Sequence, residues 1–225
     1  MNKLLQKFSN EIVELEISGG KFLKGTMIDI GSEIVVLFNG SDYLYVPIEH
    51  IQHLSLNNDN GDEIDKPSEP PTIISNKEKE DLTLTQVLTQ AQGMYTEIYV
   101  TGKTSLHGYI SNIMNNYIVF QSPIYKTMFI ALKHLKWLIP YSFNQKPYEL
   151  ADQTFSIQPY NEPLSNNLEI QVEHMKNELV VINIGEKSNY IGKIIAIEGE
   201  IVEIKTARTN SVYLNLNHFK TIHLV

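Results

Sequence analysis

No cysteine occurs in the 225 residues, and Arg208 is the one arginine. Without thiols the chain has no disulfide framework, no thiolate metal site and no cysteine nucleophile. Eighteen basic against 26 acidic side chains leave a net charge of -8, the opposite of the Lys- and Arg-rich footprint of a nucleic-acid binder. Twelve glycines are too few for a collagen-like repeat. No apolar run approaches the ~18 residues of a membrane span. The opening stretch MNKLLQKFSNEIVEL carries Lys, Gln and Glu through its apolar positions, unlike a signal peptide. These features lead us to expect a chain made and folded in a cytoplasm. What is present is a 42% hydrophobic content, which excludes disorder over most of the length.

That apolar content is organised as a threefold repeat, with aligned segments at 12–56, 97–139 and 179–224. One anchor is a glycine ahead of an apolar strand: Gly25 in KGTMIDI, Gly108 in HGYISNI and Gly192 in IGKIIAI. Another is a histidine near the end: His50 in IEHIQHL, His134 in LKHLKWL and His218 in LNHFKTI. Gly19, Gly102 and Gly185 form a third set. Five residues before each histidine stands an aromatic, Tyr45, Phe129 or Tyr213, and apolar residues recur in register around it. Such self-similarity predicts three structural units, here 1–57, 81–141 and 167–225. Their net charges are -3, +2 and -1. Residues 58–80 hold seven acids and three lysines without hydrophobic period, which predicts a flexible acidic linker. Residues 142–166 form a second linker with three prolines. Its Tyr148, Leu150, Phe155, Ile157 and Tyr160 suit it to lie against a domain.

Each unit reads as β-rich. In the first, Ile12–Ile17 alternates apolar and polar residues for part of its length, Gly19-Gly20 turns, and a long second strand contains Gly25. A glycine inside a strand marks a bulge or sharp bend. Two further strands, a short helical turn through Pro47–His50 and a last strand complete the unit. The expected fold class is all-β with short helices: three tandem SH3-like or Sm-like small β-barrels. Short amphipathic helices are expected ahead of them, built on Leu4, Leu5 and Phe8, on Val87, Leu88 and Ala91, and on Ile170 and Met175. Open barrels leave strand edges that can pair. The fourth and fifth strands, 43–46 with 51–56 and their counterparts, are the expected assembly edges.

The run from Glu11 to Leu56 resembles the repeats of the spore coat protein B family of Bacillus and its exosporium relatives. The matching pieces are Gly19-Gly20, Lys24-Gly25, Tyr43 to Tyr45 and His50-Ile51-Gln52-His53-Leu54, with His134–Leu138 and His218–Ile222 in the other repeats. The resemblance implies a non-enzymatic structural component of the spore coat or exosporium, made in the mother-cell cytoplasm. Its implied partners are other coat proteins and further copies of itself. The family's phosphorylated Ser/Lys/Arg tail has no counterpart before Val225, so that behaviour is not carried over.

Motifs for chemistry are sparse. His50, His134 and His218 could line an axis and bind a metal. The alternative is that each caps its turn through backbone hydrogen bonds. Gly25, Gly108 and Gly192 match no phosphate loop, and no GxSxG or HExxH spacing occurs. The aromatics Tyr45, Phe129 and Tyr213 read as core residues. No enzyme, cofactor or nucleic-acid ligand is expected. The competing function is a cytoplasmic Sm-like RNA-binding protein with fused barrels.

Overall fold

A computed structural model describes residues 4–57, 64–73, 82–100, 105–141, 147–149, 160, 162–184, 190–208 and 210–225. Fifteen strands and two α-helices among the described residues make the chain mostly β, as the periodicity predicts. It divides into two compact units. The first comprises residues 1–99 and 136–145, the second 100–135 and 146–225. The second repeat, read from sequence as one domain over 81–141, is therefore shared between them.

The first unit holds β1 (Ile12–Ile17), β2 (Lys21–Ile30), β3 (Ile34–Phe38), β4 (Tyr43–Pro47), β5 (Ile51–Leu56), α1 (Leu84–Ala91), β6 (Tyr95–Tyr99) and β10 (Trp137–Pro140). Its strands run in the order β6-β10-β4-β3-β2-β1-β5. The second unit holds β7 (Leu106–Ile113), β8 (Tyr117–Ser122), β9 (Lys126–Ala131), α2 (Leu168–His174), β11 (Leu179–Ile182), β12 (Tyr190–Glu198), β13 (Ile201–Lys205), β14 (Val212–Asn215) and β15 (Thr221–Leu224). The order there is β14-β13-β12-β11-β15-β9-β8-β7. The first and third repeats thus share one antiparallel plan, with the fifth strand beside the first and the fourth at the far side.

The repeated glycines act by close approach. A Cβ on Gly25, Gly108 or Gly192 would lie 2.7, 2.1 or 2.5 Å from the carbonyl oxygen of Phe38, Gln121 or Lys205. These three acceptors are themselves equivalent positions on the third strand. The bulge expected at each glycine lies three residues later instead. The register slips between Met27 and Asp29, Ile110 and Asn112, and Ile194 and Ala196. Ile28, Ser111 and Ile195 are the extra residues. A bulge bends its strand and increases the twist, while the glycine removes the side chain that would keep the neighbouring strand away.

Strand burial distinguishes the repeats. β3 and β8 are buried along their whole length, on both faces. β13 alternates, with Val202 and Ile204 buried and Ile201 43% exposed. One face of β8 is covered by later segments of the chain. In the second unit Tyr117, Val119, Phe129 and Ala131 share one core with Leu168, Val172 and Met175 around α2, and with strands of the third repeat. In the first unit Tyr99, Trp137 and Ile139 join the core of the first repeat.

Three expectations about helices and linkers are corrected. The first expected helix is a single 3-10 turn, Leu5–Phe8, with Leu4 exposed. In α2 the buried stripe is Leu168, Gln171 and Val172, continued by Met175, and Ile170 faces outward. Positions separated by three, four and seven residues share a helix face, whereas Ile170 and Met175 do not. Residues 58–80 were expected to float. Their described part, 64–73, is docked on the first repeat through Ile73, which is 1% exposed. Its N–H donates to Tyr45 Oη, and its carbonyl accepts from the same hydroxyl, both at 2.9 Å. Gly102, Gly185, Leu150, Phe155 and Ile157 lie outside the described residues.

Candidate assembly interface

Each internal junction between repeats is a strand pair of the same kind. In the first unit the fourth strand of repeat one, β4, pairs antiparallel with the fifth strand of repeat two, β10, placing Tyr45 opposite Leu138. In the second unit β9 pairs with β15, placing Phe129 opposite Ile222, Ile130 opposite Thr221 and Met128 opposite His223. Tyr45 corresponds to Phe129 in the repeat, and Leu138 to Ile222, so the two joints share one register. Main-chain pairing satisfies the polar groups of an edge, and burial of alternate side chains adds the apolar gain.

The equivalent aromatics are the pivots of these joints. Tyr45 is 0% and Phe129 1% exposed. Tyr45 holds Ile73 through its hydroxyl, and Phe129 meets the ring of Tyr160 edge-on at 5.4 Å. Tyr117, beside Phe129, places its hydroxyl 2.6 Å from the Ser165 carbonyl, and burial pushes this phenol up to about 12. Each linker therefore lays one segment over the aromatic of the repeat before it. Tyr213 departs from the core reading made for all three: it is 68% exposed. Its strand, β14, has no partner beyond β13 among the described residues, and none of them buries the ring.

The three histidines close equivalent 3-10 turns: Ile48–His50, Leu132–His134 and Leu216–His218. The side chains of His50 and His134 serve the joints in different ways. In the first unit Lys136 Nζ reaches both His50 Nδ1, at 3.1 Å, and Ser18 Oγ. Ser18 Oγ also stands 3.2 Å from that ring nitrogen. In the second unit His134 Nε2 lies 3.2 Å from the Asn217 carbonyl, while Lys133 Nζ donates to Asn217 Oδ1 at 3.1 Å. His218 is exposed. No cluster of three His, Asp or Glu side chains suited to a metal ion occurs among the described residues.

A second contact repeats as well, and sequence reasoning missed it. Glu33, in the β2–β3 loop, accepts a hydrogen bond from the N–H of Leu84, the first residue of α1, at 2.9 Å. Asn116 occupies the corresponding loop before β8 and accepts from Leu168, the first residue of α2, at 2.8 Å. Each helix start thus finds an acceptor on the preceding repeat, meeting donors that a helix leaves unpaired. Glu33 and Asn116 differ in type, which hides the correspondence. The spacing of 83 residues, the same as between Gly25 and Gly108, is the signal that could have found it.

A family model described as the YwrJ third domain matches residues 167–222, close to the third repeat. A Bacillus subtilis (strain 168) protein carried as uncharacterized protein YwrJ is 38% identical over 228 residues, covering 99% of each chain. The chain belongs to the YwrJ family. Neither description refers to a spore coat.

Proposed function

We propose that this YwrJ-family chain is a non-enzymatic structural component of the bacterial spore coat or exosporium, assembling through the fourth- and fifth-strand edges of its repeats. Each repeat is read as a small SH3-like or Sm-like barrel. The observation that supports this best is the doubled joint: Tyr45 opposite Leu138 and Phe129 opposite Ile222, in one register. Residues devoted to joining units are those of a building block. The coat and exosporium assignment draws on the sequence resemblance to coat protein B, and the partners it implies are other coat proteins. A fluorescently tagged copy followed through sporulation tests the reading. Signal should arise in the mother cell late in sporulation and finish on the spore surface. Uniform signal in growing cells, with RNA recovered on the purified protein, would favour the Sm-like RNA-binding alternative.

A further inference from the structure

Two strand edges are unpaired among the described residues, and they are complementary halves of a third joint. β14 bonds to β13 alone, and β5 to β1 alone. β14 is the counterpart of β4 and β9, each of which receives a fifth strand. β5 is the counterpart of β10 and β15, each of which supplies one. We propose that a second copy of this chain completes the pair, β14 of one copy bonding antiparallel to β5 of the next, head to tail. The inference rests on the proposed assembly role and names the partner at the open edges.

The internal joints dictate the register. Carrying the β9–β15 pairing forward by one repeat places Tyr213 opposite Leu54, Leu214 opposite His53 and Val212 opposite Ser55. The exposed face agrees. Ile34 and Tyr117 are 0% exposed, but their counterpart Ile201 is 43% exposed. Tyr45 and Phe129 are buried, but Tyr213 is 68% exposed. Ile201 and Tyr213 lie on adjacent strands, in the positions of Tyr117 and Phe129, which share one core with α2 and the third repeat. One residue departs from the pattern: Glu203 stands where β3 has Val36 and β8 has Val119. Closing the joint removes water from this carboxylate, which costs free energy. The joint between copies is therefore weaker than the internal ones and depends on concentration. Because different surfaces meet, the contact is heterologous, and successive copies form a ring or a filament according to whether the rotation closes.

The absence of cysteine gives a direct test on the full-length chain. Ser55→Cys and Val212→Cys are introduced into separate copies, which are mixed and mildly oxidised. A heterodimer linked through these two positions is expected, and a ladder of larger species from the doubly substituted chain. Ser55→Cys mixed with Asn215→Cys, three residues out of register, should not link, because a disulfide does not span Cα atoms more than ~7 Å apart. Sedimentation of the unsubstituted chain should show mass rising with concentration, and Glu203→Val should lower the dissociation constant about tenfold. A strictly monomeric chain, or equal linking at Val212 and Asn215, would overturn the proposal. Since these measurements use purified protein, linking by a chain absent from spores would refute only the coat assignment. A monomer found on the spore surface would refute only the head-to-tail pairing.

Discussion

A methyl group on Gly108 would press on the Gln121 carbonyl from 2.1 Å, closer than the 2.7 Å between a Cβ on Gly25 and the Phe38 carbonyl. The obstacle is backbone in both cases, so relief requires the third strand to move. Overpacking of this kind costs about 1–3 kcal/mol. Gly108→Ala should fall at the upper end and Gly25→Ala below it, read as shifts of the denaturant midpoint at unchanged slope. His223 gives a second test at single-residue scale. It is 7% exposed, its Nδ1 has no hydrogen-bond partner among the described residues, and Met128 of β9 lies opposite it. Burial holds its pKa below the ordinary 6.5, so the unfolded chain takes up the proton first. The stabilising contribution is full above about 6.5 and is lost as pH falls through the lower, folded value. Wild type should therefore lose more stability between pH 7.5 and 5.5 than His223→Gln, measured by denaturation at both pH values.

Helices in this chain depend on the repeat before them. α1 has a capping box of its own, in which Thr83 accepts from the Gln86 N–H and Gln86 returns a bond to the Thr83 N–H. The side chain of Asn167, by contrast, makes no cap bond for α2. Asn116 supplies the acceptor for Leu168 and also donates to the Glu169 carboxylate. Asn116→Ala should accordingly destabilise the second unit by about 1 kcal/mol, the usual size of a lost cap. Asn115→Ala, which removes a surface amide contact to Asn167, should change stability by less than about 0.5 kcal/mol. Thermal or denaturant unfolding of the pair separates the two. The same dependence explains what the sequence made legible. Gly25, Gly108 and Gly192, and the turns ending in His50, His134 and His218, answer to packing within a repeat, so their spacing reveals them. Tyr213 misled because its equivalents are buried by a neighbour, a fact no single repeat records. A trace of it was readable, since Ile201-Val-Glu-Ile-Lys205 alternates while Ile34-Val-Val-Leu-Phe38 is continuously apolar, the difference between one buried face and two. Ile73 left no trace, because Ile64, Ile73 and Ile74 among acids and prolines form no period.

The middle repeat depends most heavily on its neighbours. Its Tyr99, Trp137 and Ile139 are packed into the core of the first unit, where the Tyr99 and Trp137 rings stack at 4.0 Å. Its Tyr117, Val119, Phe129 and Ala131 belong to the core of the second unit. A fragment of residues 81–141 would return all seven side chains to water. At about 1.5–3 kcal/mol for each of the six large ones, the loss is on the order of 10 kcal/mol or more. That matches or exceeds the total stability of an ordinary small domain, about 5–15 kcal/mol. The strand edges of β9 and β10 would be stripped at the same time, leaving unpaired N–H and C=O groups beside the newly exposed aromatics. We therefore expect the isolated middle repeat to show no cooperative unfolding transition and poor amide dispersion in solution, or to precipitate, although its internal Gly108 packing and strand pattern are intact. The full chain should unfold cooperatively under the same conditions. A fragment 81–141 that stayed monomeric and melted with a sharp transition would mean that the joints contribute little, and that the repeats are independent modules merely placed side by side.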